Sequence, residues 1–244
     1  MNKQYKAVVL FLLVTGGWYS AYTQQFSLAV TELQKIQNSY SDSGYNSFKI
    51  TYQYAKASAP GKILDTLSFY YKIKGNSYYC KVDKIEFLQN DSINVAVYHN
   101  EKNIILSNPS VSTDKGRMAI DSWDSSFVAS NIDSVYLTDN TNTRTLSFHF
   151  TPESKYSECS ITYNSKTFQP QKIIYMERSS QYIEDENAKP EGIIITMRFS
   201  GVNKSAFDES IFSEKKFLTA QNNKLALSAK YKEYRIVNNV FKTE

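Results

Sequence analysis

Few residues of this chain carry the usual chemistry of an active site. Its 244 residues include two histidines, His99 and His149. His99 opens the polar run His99-Asn100-Glu101-Lys102-Asn103 between two apolar stretches, which is the composition of a hairpin loop. His149 alternates with Phe148 and Phe150, which places it on the wet face of a strand. Two separate surface imidazoles cannot build a zinc centre, and no H-E-x-x-H or paired-cysteine spacing is present. A G-x-S-x-G elbow and a phosphate-cradling glycine loop are also missing. Asp121 and Asp124 could form a carboxylate pair. Acids at the start of a helix, however, serve the helix dipole and the cap far more often. No enzyme, metal or cofactor is expected.

The two cysteines, Cys80 and Cys159, each fall on the apolar side of a period-two pattern. Cys80 alternates in phase with Tyr78 and Val82, and Cys159 with Ile161 and Tyr163. An oxidising compartment would permit a disulfide. Two separate buried thiols, behaving as small hydrophobes, fit the pattern as well. Both side chains are expected to point inward.

Aromatic residues are the compositional oddity, with 19 Tyr and 14 Phe. A tyrosine has an apolar body and a polar tip, and suits half-exposed sheets and clefts. The residues best placed to line an apolar site are Tyr52, Tyr54, Phe69, Tyr71, Ile120, Trp123 and Phe127. Ordinary core packing would use the same residues.

The elements that must position them follow from periodicity. Phe26, Ala29, Val30, Leu33, Ile36 and Tyr40 recur at helical steps, with Gln, Glu and Lys on the other face. Ser41-Asp42-Ser43-Gly44 ends that helix. From Phe48 to Leu106 the chain alternates as antiparallel strands, with Gly75-Asn76 as a two-residue hairpin turn. Lys84 to Asn90 is a short strand or an excursion. Met118 to Asn131 reads as a short inserted helix with Ile120, Trp123 and Phe127 on one apolar edge. Strands resume at Ser134–Thr138, Arg144–Thr151, Glu158–Tyr163, Lys172–Glu177 and Ile193–Phe199. Ser179 to Gly192 is a polar, acidic loop. Ala206 to Phe217 holds a helical turn, and Tyr231 to Val237 is the last strand. The fold class is therefore mainly β (α+β). A curved antiparallel sheet or incomplete β-barrel is expected, with an N-terminal helix and a short inserted helix over its concave face.

Residues 1–23 have the pattern of a secretory signal. Lys3 and Lys6 precede the apolar run Ala7–Val14, and Ala21-Tyr22-Thr23 offers a cleavage site before Gln24. The apolar core is too short for a stable anchor, and no later run is long enough for a membrane helix. Residues 24–244 are expected to form one domain, periplasmic or secreted and soluble. Loss of the segment removes two lysines from a chain of net charge +4, leaving about +2. The remaining basic residues are scattered, so no nucleic-acid partner is expected.

In its order of parts the chain resembles the lipoprotein-carrier fold of the LolA/LolB type. A signal segment, an amphipathic helix, a long meander, an inserted helix and further strands follow in that family's sequence. Asn164-Ser165-Lys166-Thr167-Phe168-Gln169-Pro170-Gln171-Lys172-Ile173 is similar to the family's turn in which Asn or Asp, Thr and Pro precede an apolar strand. Lys72-Ile73-Lys74-Gly75-Asn76-Ser77-Tyr78-Tyr79 is similar to its early hairpin. The family's soluble carrier has an arginine inside the barrel on an early strand, and Phe48 to Tyr54 contains none. The resemblance implies a concave face that holds acyl chains beneath helices. The expected function is a periplasmic carrier or binding protein for a lipid or acyl-bearing ligand. Its partners would be lipid or lipoprotein acyl chains, with envelope proteins as further candidates. The alternative is a non-catalytic cell-envelope interaction protein whose helices fill the sheet face.

Overall fold

The computed structural model describes residues 26–40, 44–109, 123–178, 191–221 and 224–240. The first element is a helix, α1 (residues 26–40). Six strands follow: β1 (Tyr45–Lys56), β2 (Ile63–Lys74), β3 (Ser77–Val82), β4 (Ile85–Gln89), β5 (Asn94–Tyr98) and β6 (Asn103–Ser107). After the short helix α2 (Ser125–Asn131) come β7 (Ile132–Asp139), β8 (Thr143–Phe150), β9 (Tyr156–Asn164), β10 (Pro170–Glu177) and β11 (Ile193–Asn203). Two 3-10 turns, Glu209–Phe212 and Glu214–Lys216, lead to a small hairpin of β12 (Leu218–Gln221) and β13 (Lys224–Leu227). A third such turn, Ala229–Tyr231, precedes β14 (Arg235–Asn239).

Twelve strands form one curved sheet in the order β14-β6-β5-β4-β3-β2-β1-β11-β10-β9-β8-β7. Its end strands β14 and β7 are not paired to each other, so the sheet is open rather than a closed barrel. All neighbours are antiparallel except β14 and β6, which run parallel from Arg235↔Asn103 to Asn239↔Ser107. The expected hairpin turn is present: Lys74 pairs with Ser77 across Gly75-Asn76, and Gly75 adopts φ +54°, a conformation that glycine takes without steric cost.

Two cores lie on opposite faces of this sheet. The larger is on the concave face, where Ala29, Leu33 and Ile36 of α1 bury against Ile50, Leu146, Phe148, Cys159, Ile161, Tyr163 and Ile173. Each fully buried Leu or Ile contributes roughly 1.5–3 kcal/mol of transfer free energy. The helix is also pinned by polar contacts. Glu32, on the face expected to be wet, is buried and accepts the Tyr163 hydroxyl at 2.6 Å. Lys35 and Arg144 lie at 3.1 and 3.4 Å from the same carboxylate. Burial alone would raise the Glu32 pKa, but these donors outweigh it and hold the group below its usual value.

The second core is on the convex face of β4–β6. Leu88, Val95, Val97, Ile104 and Leu106 are covered there by Phe217, Leu218 and Tyr231 of the C-terminal segment. The sequence pattern does not show this core, because one β-strand pattern cannot say which distant segment folds back on it. It also corrects the last strand. Tyr231 is not in a strand: its ring packs at 5.3 Å from Phe217, and pairing starts only at Arg235.

Candidate functional site

The ladder registers place the concave-face residues in rows. Tyr52 stands between Leu67 and Met197, Phe69 pairs with Ile50 and Val82, and Tyr71 pairs with Phe48 and Cys80. Tyr54 lies between Asp65 and Ile195, nearer the end of the sheet. Their rings form a continuous aromatic strip. Tyr52 meets Phe69 edge-on at 5.1 Å, Phe69 lies parallel to Tyr71 at 6.3 Å, and Tyr71 stacks on Phe48 at 5.2 Å.

Trp123 and Phe127 are on the other half of the same face. Trp123 is 5 % exposed, stacked on Phe127 at 5.1 Å and ringed by Phe148, Phe150 and Tyr175. It precedes α2 instead of lying inside it. Asp124 is extended (φ −91°, ψ −178°) and its carboxylate accepts the Phe127 N–H at 2.8 Å, so the described helix begins at Ser125. That is the capping role expected of Asp124. Ile120 and Asp121 lie outside the described residues.

The expected site set thus divides in two. On β7–β10, α1 and Trp123 fill the concave face, and Phe148, Ile161 and Ile173 are fully buried. From β1 through β6 the same face continues with Tyr52, Leu67, Phe69, Tyr71, Ile73, Phe87 and Ile105 only half-buried. At the border, a crevice of about 10 Å³ between Tyr40, Phe48, Pro170 and Phe199 has room for about one water molecule. Among the described residues, this half is thus a half-buried apolar surface.

Its polar tips are neutral. Burial, with the neighbouring Tyr54 and Cys80 adding to it, pushes the Tyr52 phenol up to about 12. Burial and the adjoining Cys80 raise that of Tyr71 further. The Cys80 thiol is itself pushed up to about 11 by burial, against a hydrogen bond with Tyr71. The strip thus presents rings and uncharged hydrogen-bonding groups. Cys80 and Cys159 are both buried free thiols, in the inward orientation that periodicity indicates.

A polar cluster on the convex face was not legible in the sequence. Glu86, 7 % exposed, accepts from Tyr79 and Lys216, each at 2.8 Å, and lies 3.0 Å from His99 Nε2. An ionised carboxylate only accepts, so His99 Nε2 carries the proton in this contact. His99 Nδ1 is 2.8 Å from the Tyr234 hydroxyl. Burial would raise the Glu86 pKa, but its three donors hold it down at about 2. His99 is therefore no surface loop residue. The turn at Asn100 to Lys102 is the exposed part, and the imidazole folds under the C-terminal segment. His149 is on the wet face as expected, 3.7 Å from the exposed Glu158. Among the described residues, no three His, Cys, Asp or Glu side chains group as metal ligands.

Comparison with known proteins returns solved structures only. No family model matches the sequence, and no curated protein matches it. The chain is similar to the crystal structure of the LolA superfamily protein NE2245 from Nitrosomonas europaea. They share 13% identity over 77% of this chain and 98% of that one, with a TM-score of 0.34. It is similar to a putative outer membrane lipoprotein-sorting protein domain from Vibrio parahaemolyticus, at 10% identity over 78% and 98% of the two chains (TM-score 0.35). A third is the MucA/MucB complex of Pseudomonas aeruginosa, at 13% identity over 82% of this chain and 63% of that one (TM-score 0.42). A protein of the LolA superfamily is thus among the structures to which this chain is similar. Among the described residues, no helix is long and apolar enough to cross a membrane.

Proposed function

We propose that this protein is a non-catalytic carrier or binding protein for an acyl-bearing ligand, working in the periplasm or outside the cell as a single domain of residues 24–244. The observation that carries the reading is the part of the concave face that the described residues leave partly exposed. Tyr52, Leu67, Phe69 and Tyr71 continue the buried apolar face across β1 and β2, and they remain half-buried. Apolar surface of this extent is costly to leave in water. Rigid rings give large contact area with little loss of rotamer entropy. The rings supply the apolar contact that an acyl chain needs, and the neutral phenols can hydrogen-bond an ester or amide. The ligand would lie along the strip from Tyr52 to Tyr71, with Tyr54 at its end. Trp123 and Phe127 would support the site from the filled half.

A dansylated fatty acid provides the test. Saturable binding to the wild type is expected, weakened about tenfold or more when Phe69→Ala and Tyr71→Ala are combined, equivalent to about 1.4 kcal/mol. No binding at any concentration below that at which the probe forms micelles would remove the carrier reading.

The filled half supports a second reading. Trp123 is locked among four rings, and the crevice beside α1 is very small. A protein whose concave face is already filled would serve as an envelope interaction module, and the probe would then bind neither wild type nor variant.

A further inference from the structure

The sheet carries a notch beside β2. The β1–β2 ladder runs from Tyr45↔Lys74 to Ala55↔Ile63, whereas the β2–β3 ladder ends at Phe69↔Val82. Beyond Val82 the chain turns back through Asp83-Lys84 into β4. Ile63 to Ser68 therefore have β1 on one side and, among the described residues, no strand on the other. Ile63 and Leu64 are 45 % and 50 % exposed, and Asp65 and Thr66 are exposed too.

The direction of the unpaired groups follows from the hairpin. A two-residue turn makes the flanking Lys74 and Ser77 a hydrogen-bonded pair, so Lys74 directs its N–H and C=O toward β3. Counting back by twos, Lys72, Tyr70, Ser68 and Thr66 direct theirs to the same side. Lys72 and Tyr70 meet β3, and the Ser68 C=O faces the Asp83 N–H just past Val82, so the Ser68 N–H and both groups of Thr66 face the notch. The register shift lies below them, where Leu64 is the extra residue between Asp65 and Ile63, so it does not alter this phase. One of the open donors is covered by a side chain: Asp65 Oδ1 accepts the Thr66 N–H at 2.7 Å. A carboxylate thus stands where the carbonyl of a neighbouring strand would.

We infer that the Asp65–Ser68 edge of β2 is a strand-addition site for an extended segment of a partner polypeptide, with Asp65 as the placeholder that the segment displaces. A row of backbone donors and acceptors at strand spacing is matched only by another strand. Leu67 on the concave side and Thr66 and Ser68 on the convex side call for a segment that alternates apolar and polar residues. The notch favours a free segment over a second copy of this chain. Two-fold pairing of β2 with its copy would bring each β3–β4 turn onto the other copy's 57–62 hairpin, whereas a lone strand ends before it. The site is independent of the acyl reading, and its test contains no lipid.

The probe is a short acetylated peptide alternating valine and threonine, labelled with fluorescein and followed by anisotropy on the full chain. Asp65→Ala uncovers the Thr66 N–H, and binding at least about threefold tighter than wild type is expected. Thr66→Pro deletes that N–H while leaving the bonds to β1, since proline is tolerated where the missing donor faces solvent. It should abolish binding. The same peptide N-methylated at alternate residues should also fail, which keeps the test decisive if Thr66→Pro does not fold. The proposal is overturned if Asp65→Ala does not bind the peptide, or if binding survives N-methylation. Sedimentation showing that Asp65→Ala dimerises, and Thr66→Pro does not, would assign the edge to a second copy and overturn the partner assignment.

Discussion

The indole of Trp123 stands edge-on to Phe148, with 5.4 Å between ring centroids and 89° between planes. Phe148 is fully buried in β8, so this contact ties the segment before α2 to the deepest part of the core. Gln37 Nε2 adds a link by donating to the Trp123 carbonyl at 3.4 Å, which joins α1 to the same segment. Trp123→Ala should therefore cost about 3–5 kcal/mol, the range for large aromatic truncations in cores. Denaturant unfolding of the two proteins measures this. The chain has two tryptophans, Trp18 and Trp123, so a protein lacking residues 1–23 reports this indole alone. Its emission should be blue-shifted and should not change when an acyl probe occupies the open strip. A ligand-dependent shift would mean that the filled half also opens.

Glu86 makes a different kind of tie, between the sheet and the C-terminal segment. Its folded pKa of about 2 lies below the ordinary glutamate value of 4.5. A depressed carboxylate contributes stability that is fully present above the unfolded value and is lost as pH falls through the folded one. The stabilisation should therefore be complete above about pH 5 and decline from there toward pH 2. It is worth on the order of 3 kcal/mol at most, from the size of the shift. Glu86→Gln should be less stable than wild type at pH 7, and the gap should close in acid. A gap that stays constant with pH would show that the carboxylate charge is not what Lys216 and His99 hold.

How much of this was legible in the sequence varies with the range of the interaction. Period-two alternation placed Phe48, Ile50, Cys80, Cys159 and Ile161 on the correct face, because that pattern is set within each strand. The Gly75-Asn76 turn was legible for the same reason. Glu32 was assigned to the wet side of α1, since helical spacing cannot reveal that Tyr163 and Arg144 wait opposite it. His99 looked like a loop residue because its partners Glu86 and Tyr234 come from other elements. Tyr52, Phe69, Tyr71, Trp123 and Phe127 share one face of the sheet, but how deeply each is buried there depends on which distant elements pack over it. Nothing in the spacing of Tyr52, Phe69 and Trp123 states that.

Two buried tyrosines allow a paired comparison. The Tyr163 hydroxyl donates to buried Glu32 at 2.6 Å, whereas the equally buried Tyr231 hydroxyl has no hydrogen-bond partner among the described residues. Tyr163→Phe leaves part of a buried carboxylate unsatisfied and should cost about 1–3 kcal/mol. Tyr231→Phe removes a polar atom that contributes no bond, and should be neutral or slightly stabilising. Chemical denaturation of both variants gives the sign of the difference, and equal losses would contradict the assignment of Glu32 to Tyr163.

The cysteines give the last prediction. Cys80 is on β3 and Cys159 on β9, with β2, β1, β11 and β10 between them in the sheet. At about 4.8 Å per strand this is roughly 24 Å along the sheet, against about 4–7 Å between the Cα atoms of a disulfide. The two thiols therefore cannot join within the native fold, even in an oxidising compartment. Burial also pushes the Cys80 thiol up to about 11 and the Cys159 thiol well above its ordinary value, so neither supplies thiolate at neutral pH. Folded protein should react with Ellman's reagent only as fast as it unfolds, and unfolded protein should titrate both thiols at once. A reducing agent should leave the melting temperature unchanged. Cys80 borders the aromatic strip through Tyr71. An acyl ligand on that strip binds the folded protein alone, so it should slow the labelling of both thiols by the same factor, that by which it lowers the unfolded population. Slowing of Cys80 alone would mean that Cys80 is reached through a local opening of the strip ahead of global unfolding.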